Sequence, residues 1–406
     1  MPACADLPVA GRDIRLDLFR GLANWAIFLD HIPHEVLSCI TGRNYGFSDA
    51  ADLFVFISGY TSALVFGRLM IERGYAHAAL RLAKRAFALY AAHIVVVVIY
   101  IAIIACTSRE FHDPDDLNQF NVAVFINTPF RESIQALALR YRPVNLDVLP
   151  LYILLLGAFA PALWLLIRKP NLAMAGSVVV YLCARQFGWN LAASPSGLWY
   201  FNPFAWQLLF FLGAWSALGG ARALRPILQT RTALWLAIAY LVFALIVTMA
   251  IRVPDLGRLL PHWVLAPFDP NDKTNLAPYR VAHLIALAVV VTRLLPVNSS
   301  ILQWRALSPL VKCGQNSLPV FCTGIVLSFC AHAMIELSLN SLSVQIIVGT
   351  AGILLLTAGA SILTWSRQQD RVALLPGHWW PAWTRQCREP VARQNSVAGK
   401  GAPHAI

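Results

Sequence analysis

Ten stretches of the chain are apolar for long enough to cross a bilayer, and short polar segments separate them. The stretches fall at about 18–39, 50–71, 86–107, 147–167, 171–188, 203–220, 233–251, 278–295, 316–337 and 342–366. A spanning helix needs roughly 20 mostly apolar residues. Hydrocarbon offers no partner to an unpaired backbone amide, so each run is expected to be helical. The pattern predicts an all-α polytopic integral membrane protein, a bundle of about ten transmembrane helices. Residues 1–15 form an N-terminal segment, 16–366 the transmembrane domain and 367–406 a polar tail. No fixed-period repeat, inverted repeat or interrupted span is evident. In the tail, Trp379, Trp380 and Trp383 suit a resting place at the membrane interface.

Composition agrees. Of 406 residues 58% are hydrophobic and 13% charged, against about 25% charged in an ordinary soluble domain. The net charge of +12 would raise nucleic acid as a partner in a soluble protein. Here the basic residues sit between apolar runs, where they anchor helix ends and meet anionic lipid, so no nucleic-acid partner is expected. With the N-terminus placed in the cytoplasm, 22 of the 32 Lys and Arg fall on the inner side. An even number of helices then returns the C-terminus there too, and a bacterial inner membrane is the expected location. Two long outer segments, about 108–146 and 252–277, form the mouth expected to meet a polar substrate. The eight cysteines show no CxxC pairing, so neither a disulfide framework nor a metal site is expected. The first run carries Asp17, Arg20, Asp30 and His31, and it reads as a retained helix rather than a cleavable signal.

Those same residues are the strongest chemical signal. Ionisable groups inside a span are expensive and normally face a bundle interior or a watery cavity. Arg20, Asn24 and His31 lie at i, i+4 and i+11, within about 40° of one another around a helix. Asp17 stands one turn below Arg20, where it can pair with it. A polar stripe therefore runs roughly 16 Å from Arg20 to His31, and histidine suits general-base work near neutral pH. The structural alternative makes Arg20 an end anchor and His31 a packing residue. Asp49 and Asp52, at the outer start of the second span, are placed to hold or charge the imidazole. Arg81, Lys84 and Arg85 on the inner side are placed to meet donor phosphates, although the positive-inside rule alone accounts for them.

Further candidates for substrate binding are Asp30, Asp147 before the fourth span, and the cluster Lys273, Asn275, Arg280 and His283 before the eighth. Asn316 or Ser317 is expected to cap the ninth span. His93 and His332 read as satisfied packing residues. There is no GxSxG elbow for a serine nucleophile and no Gly-rich phosphate loop.

Arg20-x10-His31 resembles the signature of the acyltransferase-3 membrane enzymes, and Asp17-x-x-Arg20-Gly21 resembles the start shared with the heparan N-acetyltransferase group. More narrowly, RLDLFRGLANWAIFLDHIP with RNYGFSDAADLFVFISGY, then RPVNLDVLPLYILLL, WYFNPFAWQLLFFLGAW, KTNLAPYRVAHL and KCGQNSLPVF resemble the OpgC family, over about 15–335. The resemblance implies an O-acyltransferase that moves an acyl group, succinyl in that family, from cytoplasmic acyl-CoA to hydroxyls of a periplasmic glucan. It implies His31 as base and Arg20 as a donor or pore residue. Acyl-CoA enters as donor substrate, and no permanently bound cofactor is expected. One departure stands out. The acyltransferase-3 pattern has a second Arg where this chain has Ala88, three residues after Arg85. Acetylation of another envelope polysaccharide, and solute or sugar transport without chemistry, are the competing readings.

Overall fold

The computed structural model describes residues 13–111 and 115–373. Among them there is no strand, and only two isolated bridges, Tyr141 with Ser194 and Ala192 with Leu198, interrupt a helical architecture. The main helices are α1 (Ile14–Asp30), α2 (Ala50–Arg73), α3 (Tyr75–Phe111), α4 (Val148–Gly157), α5 (Phe159–Arg168), α6 (Pro170–Phe187), α7 (Pro203–Trp215), α8 (Arg231–Arg252), α9 (Pro278–Leu294), α10 (Ser308–Gln315), α11 (Ser317–Leu337) and α12 (Leu342–Ala373). The face where α1 begins is called proximal below, and the face towards which it runs distal.

Each expected run coincides with a helix or a helix pair, but the number that qualify as spans is smaller than ten. Six helices are long and apolar enough to cross a membrane, or seven if α4 and α5 count as one. The shortfall lies in α1, α6 and α9. With 17 residues, α1 rises only about 25 Å against a hydrocarbon core of roughly 30 Å. That is about 5 Å less than the core it would have to cross.

An interrupted span is also present, contrary to the sequence reading: α4 and α5 meet at a 57° bend. Pro161 lacks the N–H that would bond to the Gly157 carbonyl, and its ring clashes with that carbonyl, which breaks the helix there. The segment after α3 is itself structured. It folds into the short helices Ala123–Asn127 and Pro129–Leu137, and Tyr90 Oη on α3 donates to the Leu137 carbonyl at 2.9 Å. The last helix continues to Ala373. The tail tryptophans, Arg12, Cys4 and Cys387 lie outside the described residues.

Helix starts follow local chemistry. Asp13 caps α1 by accepting from Arg15 N at 3.0 Å. Asp49 and Asp52 form a capping box on α2, Asn202 caps α7 with Pro203 in its first turn, and Thr230 caps α8. Asn316 does not cap α11. Its Nδ2 instead reaches the Ala360 carbonyl at 3.2 Å and Thr364 Oγ1 at 2.8 Å, tying the α10–α11 junction to α12.

Two helix pairs approach too closely for side chains between them. A methyl built on Gly21 would overlap the Leu310 carbonyl, and one on Gly314 the Asp17 carbonyl, so α1 lies backbone to backbone on α10. Gly59 against Phe210 and Gly213 against Phe56 do the same for α2 and α7. Such contacts suit a lipid setting, where close packing replaces the hydrophobic drive between helices. They clamp α1 and α2, the two helices that carry the candidate chemistry.

Candidate active site

The sequence stripe on α1 joins two different environments. At its proximal end Arg20 lines a cavity of about 300 Å³. Arg85 from α3 and Arg367 from α12 line the same cavity, together with Ser58, Gln315, Asn316 and Ser317. None of the lining residues is acidic. Arg20 Nη2 donates to Thr61 Oγ1 at 2.5 Å, which aims the guanidinium across α2. Val148, Leu149 and Tyr152, at the start of α4 and next to Asp147, also line it. Three guanidinium groups around an open, polar hollow make a site for a multiply charged anion.

At the other end, His31 is the first residue beyond α1 and is mostly buried. Its carbonyl accepts from Asn145 Nδ2 at 3.4 Å, and its buried Nδ1 has no hydrogen-bond partner among the described residues. Burial, then the Lys273 ammonium, push its pKa down from 6.5 to about 4, so the imidazole is neutral at ordinary pH.

Beside it stands a closed charge network. Asp49 Oδ2 meets Lys273 Nζ at 2.7 Å and Arg280 Nη2 at 3.2 Å. Arg280 Nη2 also meets Asp52 Oδ2 at 2.5 Å, and its Nη1 donates to Asn271 Oδ1 at 3.1 Å. Burial alone would raise the Asp49 carboxyl, but the two cations outweigh it and hold it well below the usual carboxylate range. Burial would likewise lower Lys273, yet Asp49 keeps it raised and charged. Asp147 pairs with Arg142 at 3.1 Å, and Arg142 stacks over Trp199 at 4.6 Å. Burial raises the Asp147 carboxyl even so, with Arg142 opposing.

The loop that delivers Lys273 is fastened from several sides. Trp206 Nε1 donates to the Lys273 carbonyl at 2.9 Å, Asn202 N to Thr274 O at 3.1 Å, Tyr181 Oη to Leu276 O at 2.8 Å, and Asn271 Nδ2 to Phe47 O at 3.1 Å. Ser48 Oγ and His283 Nδ1 lie 2.6 Å apart beneath it.

The family model described as OpgC protein matches residues 12–368. The chain belongs to the OpgC family. No curated protein and no solved structure matches it. Membership makes it a multi-pass membrane protein within a family of glucan-modifying acyltransferases.

In this OpgC chain the sequence candidates separate into groups. Arg20 and Arg85 meet at the proximal cavity, while Arg81 and Lys84 are exposed on α3 and do not line it. Exposure follows from their position, since α3 turns Leu82 and Leu89 into the core and leaves those faces outward. Asp17 is buried where α1 meets Gly314. Asp49, Asp52, Lys273 and Arg280 converge as one network. The two carboxylates cap α2 and hold the cations rather than bonding the imidazole, which differs from the expected pairing. Asp30 bonds outside that network, accepting from Thr41 Oγ1 at 2.6 Å with Arg43 at 3.9 Å, but lies within electrostatic reach of Asp49 and Lys273. Asn275 braces the loop by donating from Nδ2 to Asp272 Oδ1 and accepting from Asn202.

His332 meets Glu336 at 3.2 Å. His93 departs from expectation, for it is wholly buried and neither ring nitrogen has a hydrogen-bond partner among the described residues. Sequence reasoning passed over Arg367, Thr61, Asn145 and Arg142. Arg142 and Asn145 lie within RPVNLDVLPLYILLL without being singled out there, Arg367 and Thr61 fall outside the quoted stretches, and contacts across helices reveal all four.

Proposed function

We propose that this chain is an inner-membrane O-acyltransferase that moves a succinyl group from cytoplasmic acyl-CoA to hydroxyls of a periplasmic glucan. The observation that carries the reading is the arrangement along α1: an acid-free cavity with three guanidinium groups at one end, a neutral buried histidine at the other. Arg20, Arg85 and Arg367 receive the donor's phosphates from the proximal side. The extended pantetheine arm then brings the thioester along the polar face of α1 towards His31. An imidazole nitrogen takes the proton of a glucan hydroxyl as its oxygen attacks the thioester carbon. The new C–O bond forms, the C–S bond breaks, and the proton passes to the departing CoA thiolate. The Asp49–Lys273–Arg280–Asp52 network holds the loop that frames His31, and Asp147 stands on the acceptor side.

The test uses the full chain in liposomes with succinyl-CoA and glucan, following free CoA and the glucan mass together. Wild type is expected to release CoA and add succinyl-sized increments. His31→Ala should abolish both while membrane insertion and abundance persist, and normal transfer by that variant removes the assignment of the base. An acetyl increment from acetyl-CoA, with succinyl-CoA inert, would give the acetyltransferase reading instead. The break between α4 and α5 favours a second reading, because transporters build midplane sites from discontinuous helices. Movement of sugar across the liposome without CoA release would establish it.

A further inference from the structure

Asn24 lies on α1 between the two ends of the site, one turn beyond Arg20 and seven residues before His31. Only 3% of it is exposed, yet neither Oδ1 nor Nδ2 has a hydrogen-bond partner among the described residues. Leaving a buried amide unsatisfied is destabilising, and native proteins rarely carry such a group without a use for it. It lies on the same face of α1 as Arg20, which lines the cavity, while Asn24 itself sits beyond that lining, between the cavity and His31.

We propose that Asn24 is a catalytic hydrogen-bond donor, its Nδ2 bonding the thioester carbonyl oxygen as that oxygen becomes an oxyanion. The inference rests on the acyl-transfer reading above.

Spacing supports it. Seven residues of helix rise about 10 Å, and side chains on a helix lean alike towards its N-terminus, so the interval between Asn24 and His31 stays close to that rise. Between base and donor the chemistry must fit a hydrogen bond to the hydroxyl of about 2.8 Å and an approach to the carbonyl carbon of about 3 Å. It must also fit the carbonyl bond and a donor contact of about 2.9 Å. Strung out, these lengths span a little under about 10 Å, which matches the interval on α1. Arg20 lies a further turn away, towards the cavity and the donor's phosphates. The reaction is unchanged: the hydroxyl oxygen bonds the carbonyl carbon while Asn24 holds the developing negative charge. Collapse restores the carbonyl and expels the CoA thiolate, which takes the proton from His31.

The experiment compares wild type with Asn24→Leu and Asn24→Ala, full chain in liposomes, with succinyl-CoA and glucan. Initial rates give kcat and KM, and thermal unfolding in detergent gives Tm. Loss of one oxyanion donor is worth roughly 10²–10³ in kcat. The expected result for Asn24→Leu is a kcat loss of that size, KM for succinyl-CoA nearly unchanged, and Tm equal to or above wild type, because an unsatisfied buried amide has been removed. A merely structural Asn24 would lower Tm and kcat together, and that result overturns the proposal, as does a kcat near that of wild type in both variants. If wild type itself transfers no succinyl group, the acyl-transfer reading fails first and is seen to do so separately.

Discussion

The two ends of α1 treat charge in opposite ways. At the proximal cavity three guanidinium groups stand together, Arg85 and Arg367 are exposed, and no carboxylate lines the space. At the distal end two carboxylates and two cations interlock, with Asp52 fully buried and the Arg280 side chain 3% exposed. An excess of exposed positive charge attracts an anion and contributes little to folding. An interlocked network neutralises its own charges, and it pins non-helical backbone between spans. The same residue types thus stand open around a cavity at one end and interlocked at the other.

Removing one partner of the buried network should have the largest effect. Arg280→Ala leaves Asp52 and Asp49 facing each other with only Lys273 to offset them, and breaking a buried pair this way costs about 3–5 kcal/mol. The expected outcome is a large fall in detergent Tm and poor accumulation in the membrane. A Tm within a degree or two of wild type would show that the network is hydrated and that the contrast between the ends is false. At the cavity the prediction is milder and of another kind. Arg367→Ala should raise KM for the acyl donor roughly tenfold, about 1.4 kcal/mol, with Tm unchanged. Arg81→Ala, off the cavity, should alter neither. Equal effects of the two arginines would mean that net basicity, rather than the cavity, attracts the donor.

How much of this was legible in the sequence depends on the range of the interaction. Apolar runs mark ten helical segments because hydrocarbon forces each to satisfy its own backbone. Hydropathy does not report that Pro161 breaks one of them, nor that α1 is too short to reach across. On α1 the site could be read, since Arg20, Asn24 and His31 share a face through helical spacing alone. The capping box of Asp49 and Asp52 is equally local. Arg367 joins Arg20 only because α10 and α12 pack together through Asn316, and Lys273 reaches Asp49 only because Trp206 and Tyr181 fasten its loop. The pairs so brought together, Arg20 with Arg367 and Asp49 with Lys273, stand more than two hundred residues apart in the chain, beyond any periodicity. Arg81 and Lys84 show the converse error, a favourable charge on a face of α3 that turns outward.

The finest test of the contrast is the influence of the network on His31. Lys273 is held at Asp49, and after burial it is the leading cause that lowers the His31 pKa to about 4. A base must be neutral to act, so wild-type kcat/KM should stay flat as pH falls through 6.5 and decline only on approaching about 4. Lys273→Met removes the positive charge and leaves Asp49 less neutralised. Both changes favour the imidazolium, so the His31 pKa must rise and the acid limb must move to higher pH, towards the ordinary 6.5. Asp49 keeps Arg280 as partner, so Tm should fall far less than in Arg280→Ala. An unmoved limb would mean that Lys273 and His31 do not share an electrostatic environment. A limb that moves to lower pH would overturn the electrostatic account outright, because loss of the Lys273 charge raises the pKa of every group beside it, carboxyl or imidazole.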